Sequence, residues 1–175
     1  MFVDEIENPD LFSIPALKCW PEDGGRYITF GHIYSRNPVS NRRNVGLYRV
    51  QIFDSKTAGM HMHLHHDGAQ NFLASSKEGK KMEMAIALGG DPVLVYAASA
   101  PLPPGIDELS LAGFLRRKSV ELVKCKTVDV EVPASSDIVI EGYLNPGELR
   151  EEGPFGDHTG WYSLEDDYPV FHVTA

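Results

Sequence analysis

Basic residues are scarce in this chain: 16 Lys and Arg stand against 25 Asp and Glu over 175 residues, for a net charge of −9. Such a chain lacks the basic surface on which non-specific nucleic-acid binding depends, so no nucleic-acid partner is expected. An anionic small molecule is still admissible, because local donors or a metal ion can overrule net charge. The two cysteines, Cys19 and Cys125, are far apart in sequence, which fits a reducing compartment better than a disulfide scaffold. No run approaches the ~20 apolar residues needed to span a bilayer. The opening Met1-Phe2-Val3-Asp4-Glu5-Ile6-Glu7 is acidic and lacks the basic and apolar regions of a signal peptide. Internal repeats and low-complexity segments are also missing. These absences leave a soluble, cytoplasmic protein of one domain, residues 1–175, with residues 1–25 as an N-terminal arm.

Strand signals dominate what is present. Arg26 to Phe30 is a short strand, followed by a polar loop from Ser35 to Arg43 containing Pro38. Gly46 to Phe53 alternates as one strand, with Leu47, Arg49, Gln51 and Phe53 on one face and Tyr48, Val50 and Ile52 on the other. After a turn at 54–58, Gly59 to His65 alternates again, and the two runs form an antiparallel hairpin. Asp67 to Ser76 reads as a helix and Lys81 to Leu88 as a strand. Asp91-Pro92 has the form of an N-cap with proline at the first helical position, opening a helix through about Ser99. Asp107 to Arg116 is another helix. Strands follow at Val120–Cys125, Val128–Val132, Ile138–Leu144 and Val170–Val173. Short helices among recurring hairpins predict an α+β fold with a mostly antiparallel, barrel-like sheet.

The densest chemistry lies in Glu151-Glu152-Gly153-Pro154-Phe155-Gly156-Asp157-His158-Thr159-Gly160. Three glycines and a proline can shape a loop that places Glu152 and Asp157 without a strand or helix to carry them. Two carboxyl groups sharing a partly dry site do not both ionise easily, so one of them is expected to keep a proton and act as a donor. A solvated acidic turn is the plain alternative. Arg49, among apolar neighbours, calls for a carboxylate or phosphate partner, and a structural ion pair would satisfy it equally well. Asn44 and Glu108 offer oxygens to a hard cation, although Glu108 also suits a helix N-terminus. His61, His63 and His65 share one strand face; lining a cofactor groove is favoured over an all-histidine metal site of the cupin-barrel kind.

Four stretches together resemble the UbiD family. They are Asn44-Val45-Gly46-Leu47-Tyr48-Arg49, Ala85-Ile86-Ala87-Leu88-Gly89-Gly90-Asp91-Pro92, residues 132–142, and Glu152-Gly153-Pro154-Phe155-Gly156-Asp157-His158-Thr159-Gly160. The resemblance implies a split β-barrel similar to FMN-binding proteins, and a reversible decarboxylase of aromatic or α,β-unsaturated carboxylic acids using prenylated FMN. It implies a catalytic set of Arg49, Glu152 and Asp157. It places Asn44, Leu47, Tyr48, Arg49, His61, Met62, His63, His66, Asp67 and Glu108 at the cofactor. A divalent ion, usually Mn²⁺, would be held by Asn44, His66 and Glu108, with His65 competing for the place of His66 and K⁺ as a further candidate ion. Typical members carry an additional N-terminal segment and a C-terminal domain beyond these motifs. A partner subunit or a homo-oligomer is the corresponding expectation, and the alternative function is a non-catalytic or partner-dependent flavin-binding subunit.

Overall fold

The computed structural model describes residues 8–62, 67–103 and 105–175. In chain order the strands are β1 (Arg26–Ile28), β2 (His32–Arg36), β3 (Arg43–Leu47), β4 (Val50–Ile52) and β5 (Thr57–Met60). Helix α1 (Asp67–Lys77), strand β6 (Met82–Leu88) and helices α2 (Pro92–Ser99) and α3 (Glu108–Arg116) follow. The chain ends with β7 (Leu122–Lys124), β8 (Glu131–Pro133), β9 (Ile138–Glu152), β10 (Phe155–Gly156), β11 (Tyr162–Ser163) and β12 (Asp166–Val173).

Eight strands form one sheet in the order β1-β4-β5-β12-β9-β6-β2-β3, and every pairing in it is antiparallel. The expected hairpin is present, with Val50 opposite Met60 and Ile52 opposite Ala58. The order also dictates curvature. β3 is an edge strand and β4 lies six positions away, a separation of ~29 Å in a flat sheet at ~4.8 Å per strand. Yet Tyr48 and Arg49 alone join them, a link of three Cα steps that reaches ~11 Å at most. The sheet must therefore curl until its edges approach, and an α+β fold with a curled half-barrel sheet results, as the expected split barrel requires. The single strand expected over Gly46–Phe53 is in fact two, broken at the point where the barrel closes.

Two cores lie on opposite faces of the sheet. β6 shows the division: Met82, Met84 and Ile86 join the core with Val50, Ile52, Met60, Leu144 and Phe171, whereas Ala85 and Ala87 join Tyr34, Val45, Leu94, Leu109 and Ala112. Two alanines on the outer face let helices approach closely, and α2 and α3 pack on each other there. Asp91 caps α2 by accepting from Val93 N at 3.0 Å, and Asp107 caps α3 by accepting from Leu109 N at 2.8 Å. Arg116, in the last turn of α3, reaches Asp91 at 2.8 Å and ties the two helices together.

Residues 8–25 lie along the sheet. Leu11 is buried in the core, and its N–H donates to Ser55 O at 3.0 Å. Two further expectations differ from the structure. The segment read as a polar loop from Ser35 to Arg43 begins and ends in strand, because β2 and β3 pair from His32↔Leu47 to Arg36↔Arg43. β9 continues past Leu144 to Glu152, because β12 supplies a long partner, from Val173↔Gly142 to Asp166↔Glu152, with a register shift between Pro169 and Phe171.

Candidate active site

Arg49 sits in the two-residue link between β3 and β4, where its backbone O accepts from His61 N at 3.1 Å. Its guanidinium meets Glu152, the last residue of β9, as a fork. Nε donates to Oε1 at 2.8 Å and Nη2 donates to Oε2 at 2.9 Å. Nη2 also donates to Ser163 Oγ at 3.0 Å, and the Phe155 ring covers one guanidinium face at 4.7 Å. Residues 103 positions apart thus form one unit. Glu152 is therefore carried by a strand and not by the loop after it.

Glu152 is fully buried, and burial alone would raise its pKa. Hydrogen bonds from His61 and Arg49, with the charge of Arg49, overcome that penalty and hold the carboxyl below its ordinary range. His61 Nδ1 lies 3.0 Å from Oε2. Gly59 supplies the room: a Cβ there would stand 2.6 Å from the Phe53 ring and 3.3 Å from Glu152 Cγ.

The loop beyond Glu152 is anchored from the N-terminal side. Gly153 N donates to Gln51 Oε1 at 2.8 Å, Tyr27 OH reaches the same oxygen at 3.1 Å, and Gly24 N donates to Pro154 O at 2.7 Å. Burial, then the Glu152 charge, pushes the Tyr27 hydroxyl pKa up, so it stays a donor. Asp23 is buried and accepts from Gly156 N at 2.7 Å through Oδ1, and from Trp20 N and Cys19 N at 2.9 and 3.1 Å through Oδ2. Asp23→Ala is expected to leave these donors unpaired and to cost at least about 1–3 kcal/mol in urea unfolding. Asp23→Asn, which keeps one acceptor oxygen, should lose less.

Asp157 follows Gly156 and is part-exposed. His158 donates to its Oδ1 from the backbone N at 2.6 Å and through the ring, whose Nδ1 is 2.5 Å away. Burial opposes ionisation, but these hydrogen bonds, with the charges of His158 and Arg49, together outweigh it and hold the carboxyl low. The expectation that Glu152 and Asp157 share one dry site, with one of them protonated, differs from the structure, where Glu152 is buried and Asp157 is part-exposed. Glu152 is hydrogen-bonded to Arg49 and His61 and Asp157 to His158, the Arg49 charge acts on both, and both carboxyls lie below the ordinary range.

A second cluster lies at the other end of the β3 segment. Asn44 and Glu108 line a cavity of about 360 Å³ together with Arg42, Arg43, Gln70 and Asn71. Glu108 Oε2 accepts from Val45 N at 3.2 Å, and Asn44 Nδ2 is buried without a hydrogen-bond partner among the described residues. An unpaired buried amide beside a carboxylate and two arginines fits a ligand that carries both anionic oxygens and a cation. Asn44 and Arg49 are five residues apart, at most ~18 Å along the chain. Leu47 ends β3 between them. The side chains of Tyr48 and Met62 point into the core, so backbone is what they offer a ligand. Asp67 begins α1. His63, His65 and His66 lie outside the described residues. Ser163, Gln51, Tyr27 and Asp23 had no distinguishing pattern in the sequence.

No helix among the described residues is long and apolar enough to cross a membrane. Comparison with known proteins finds similar chains and structures. A protein of Aquifex aeolicus is 54% identical over 167 residues, 95% of this chain and 34% of that protein. The UbiD-class enzyme HmfF from Pelotomaculum thermopropionicum, solved with FMN, superposes with a TM-score of 0.92 at 38% identity, over 96% of this chain and 38% of that one. Vanillic acid decarboxylase from Sedimentibacter hydroxybenzoicus in its closed form gives 0.92 at 30% identity, over 96% and 37%. The chain thus spans about a third of the length of the relatives it matches. The family model described as UbiD, 3-octaprenyl-4-hydroxybenzoate carboxy-lyase Rift-related domain, matches residues 1–175, and this chain belongs to the UbiD family.

Proposed function

We propose that this domain is the cofactor-binding and catalytic part of a reversible, non-oxidative decarboxylase acting on an aromatic or α,β-unsaturated carboxylic acid. The observation that carries the reading is the Arg49–Glu152 fork at the closure of the barrel, one short strand from the Asn44–Glu108 cavity. Solved relatives hold FMN or prFMN, which supports a flavin spanning the two. Asn44 and Glu108 would hold a divalent cation such as Mn²⁺ at the phosphate end, with His66 as a third ligand. Prenylated FMN, when bound, supplies the electron sink that a carboxylate on an sp² carbon lacks.

The protein's own residues then have separable tasks. Arg49 has five N–H donors. Three are engaged by Glu152 and Ser163, leaving the two on Nη1 to orient a substrate carboxylate. Because the fork itself faces Glu152, substrate is held through that single nitrogen and not through paired fork bonds. Glu152 fixes the guanidinium plane and balances its charge. Asp157 delivers a proton to the carbon that loses CO₂; covering it with substrate removes water and raises its pKa toward the protonated form.

The test uses the full-length protein reconstituted with prenylated FMN and divalent cation, incubated with a panel of acids and ¹³C-bicarbonate. Label is expected to enter the carboxylate of at least one aromatic or α,β-unsaturated acid, and plain FMN should not support the exchange. Flavin binding with no exchange for any acid would sink the catalytic assignment. A second reading, a subunit active only within an assembly, is favoured by the Sedimentibacter hydroxybenzoicus vanillic acid decarboxylase ShVdcCD, solved with a truncated ShVdcD, and by an evolved dimeric form of HmfF. Exchange appearing only in the associated state would select it.

A further inference from the structure

We propose that His61 is a positioning residue that holds Glu152 in register with Arg49 through its Nδ1–H. The inference rests on the function proposed above and assigns His61 a task other than touching a flavin.

The geometry ties His61 to both members of the pair. Its backbone N donates to Arg49 O at 3.1 Å, while its Nδ1 lies 3.0 Å from Glu152 Oε2. Glu152 is an acceptor when ionised, so the imidazole must carry hydrogen on Nδ1. The ring is fixed from a third side by Tyr168 of β12, at 4.1 Å between centroids and 32° between planes. β5, β12 and β9 are neighbours in the sheet, and His61 directly follows β5, so its side chain meets Tyr168 of β12 and Glu152 of β9.

Burial makes the bond hard to replace. Glu152 is 0% exposed, so no water stands ready to take over if the imidazole is removed. Oε2 would keep only the Nη2 donor, which Arg49 also directs toward Ser163. The carboxylate would then be held by Arg49 alone, so the pair could shift as a unit, and the Nη1 donors aimed at substrate would shift with it. The pKa of Glu152 agrees, since the His61 bond is the first of the influences that lower it against burial.

Two variants separate donor from ring. His61→Phe keeps a ring against Tyr168 and removes the donor; His61→Asn restores an N–H near the Nδ1 position without the ring. Three quantities are read on the full-length protein: kcat/KM, the flavin dissociation constant, and hydrogen-exchange protection of the Arg49 Nε–H in ¹⁵N–¹H spectra without flavin. His61→Phe should lower kcat/KM by roughly 10- to 100-fold, the factor carried by a hydrogen bond to a charged group. It should also strip protection from Nε–H, while flavin affinity stays within about twofold. His61→Asn should recover most of both losses. Equal losses in the two variants, or an Nε–H protection unchanged in His61→Phe, would overturn the proposal. So would a fall in flavin affinity as the only effect. The flavin-free spectra decide the role of His61 even if the wild type exchanges no acid, and in that case it is the decarboxylase reading that falls.

Discussion

Glu152→Leu is expected to lower the unfolding free energy by about 3–5 kcal/mol, the largest stability loss any single change at this site should cause. Removing the carboxylate leaves the Arg49 guanidinium, whose side chain is only 13% exposed, without its counter-charge. Because whole domains are stable by only ~5–15 kcal/mol, urea unfolding will register the change clearly. The companion is Arg49→Met with Glu152→Leu, which replaces the pair by apolar groups and should regain most of the stability. It should regain no turnover, because the oriented donors are gone. Stability that stays lost in the double variant would mean that the damage comes from packing, not from a stranded charge.

The pH dependence has a definite sign. Glu152 in the folded protein titrates below its unfolded value of about 4.3, so its contribution is present above that pH and is lost as pH falls through the lowered folded value. The stability gap between wild type and Glu152→Gln should therefore narrow on acidification from neutrality. Asp54, Glu148 and Asp157 are also held low, so the wild type alone would not isolate the contribution of Glu152, whereas the difference does.

How much of this could be read from the sequence depended on whether the signal was local. The helices were legible because Asp91-Pro92 and Asp107 are caps, whose function is completed within three residues. β2 was not, because His32, Ile33, Tyr34 and Ser35 are all buried, and a strand covered on both faces shows no alternation. β9 was legible only to Leu144; beyond it come Pro146, Gly147 and a run of charge that argue against strand, and β12 overrides them by pairing. The break at Tyr48–Arg49 is a property of closing the barrel and leaves no local mark.

The site divides in the same way. An arginine among apolar neighbours announces its need for an anion, and Glu152 meets it. The family resemblance named both residues, although composition could not have paired positions 103 apart. Asp23, Gln51, Tyr27 and Ser163 are ordinary residues whose importance comes from the backbone donors and side chains the fold brings to them. Such supports become visible only once the loop they hold has a shape.

Asp157→Asn is expected to reduce turnover by ~10²- to 10⁴-fold, the range carried by a positioned proton donor, while flavin affinity and fold are retained. The fold should survive because the loop is held by backbone bonds, Asp157 N to Trp161 O at 3.0 Å and Gly160 N to Asp157 O at 3.1 Å. An asparagine Oδ1 can also still accept from His158 N. What the amide cannot do is carry an acidic proton. Exchange of solvent deuterium into the product at the carbon that bore the carboxylate should therefore vanish in Asp157→Asn and persist in Asp157→Glu. The carboxyl is held low by His158 and Arg49, so a proton must be gained as substrate covers it. For the same reason, the wild-type rate should fall as pH rises through the pKa of the substrate-covered acid. Turnover in Asp157→Asn equal to wild type would take the donor role away from this residue and leave Arg49 and Glu152 as the groups that orient substrate, with the proton coming from elsewhere.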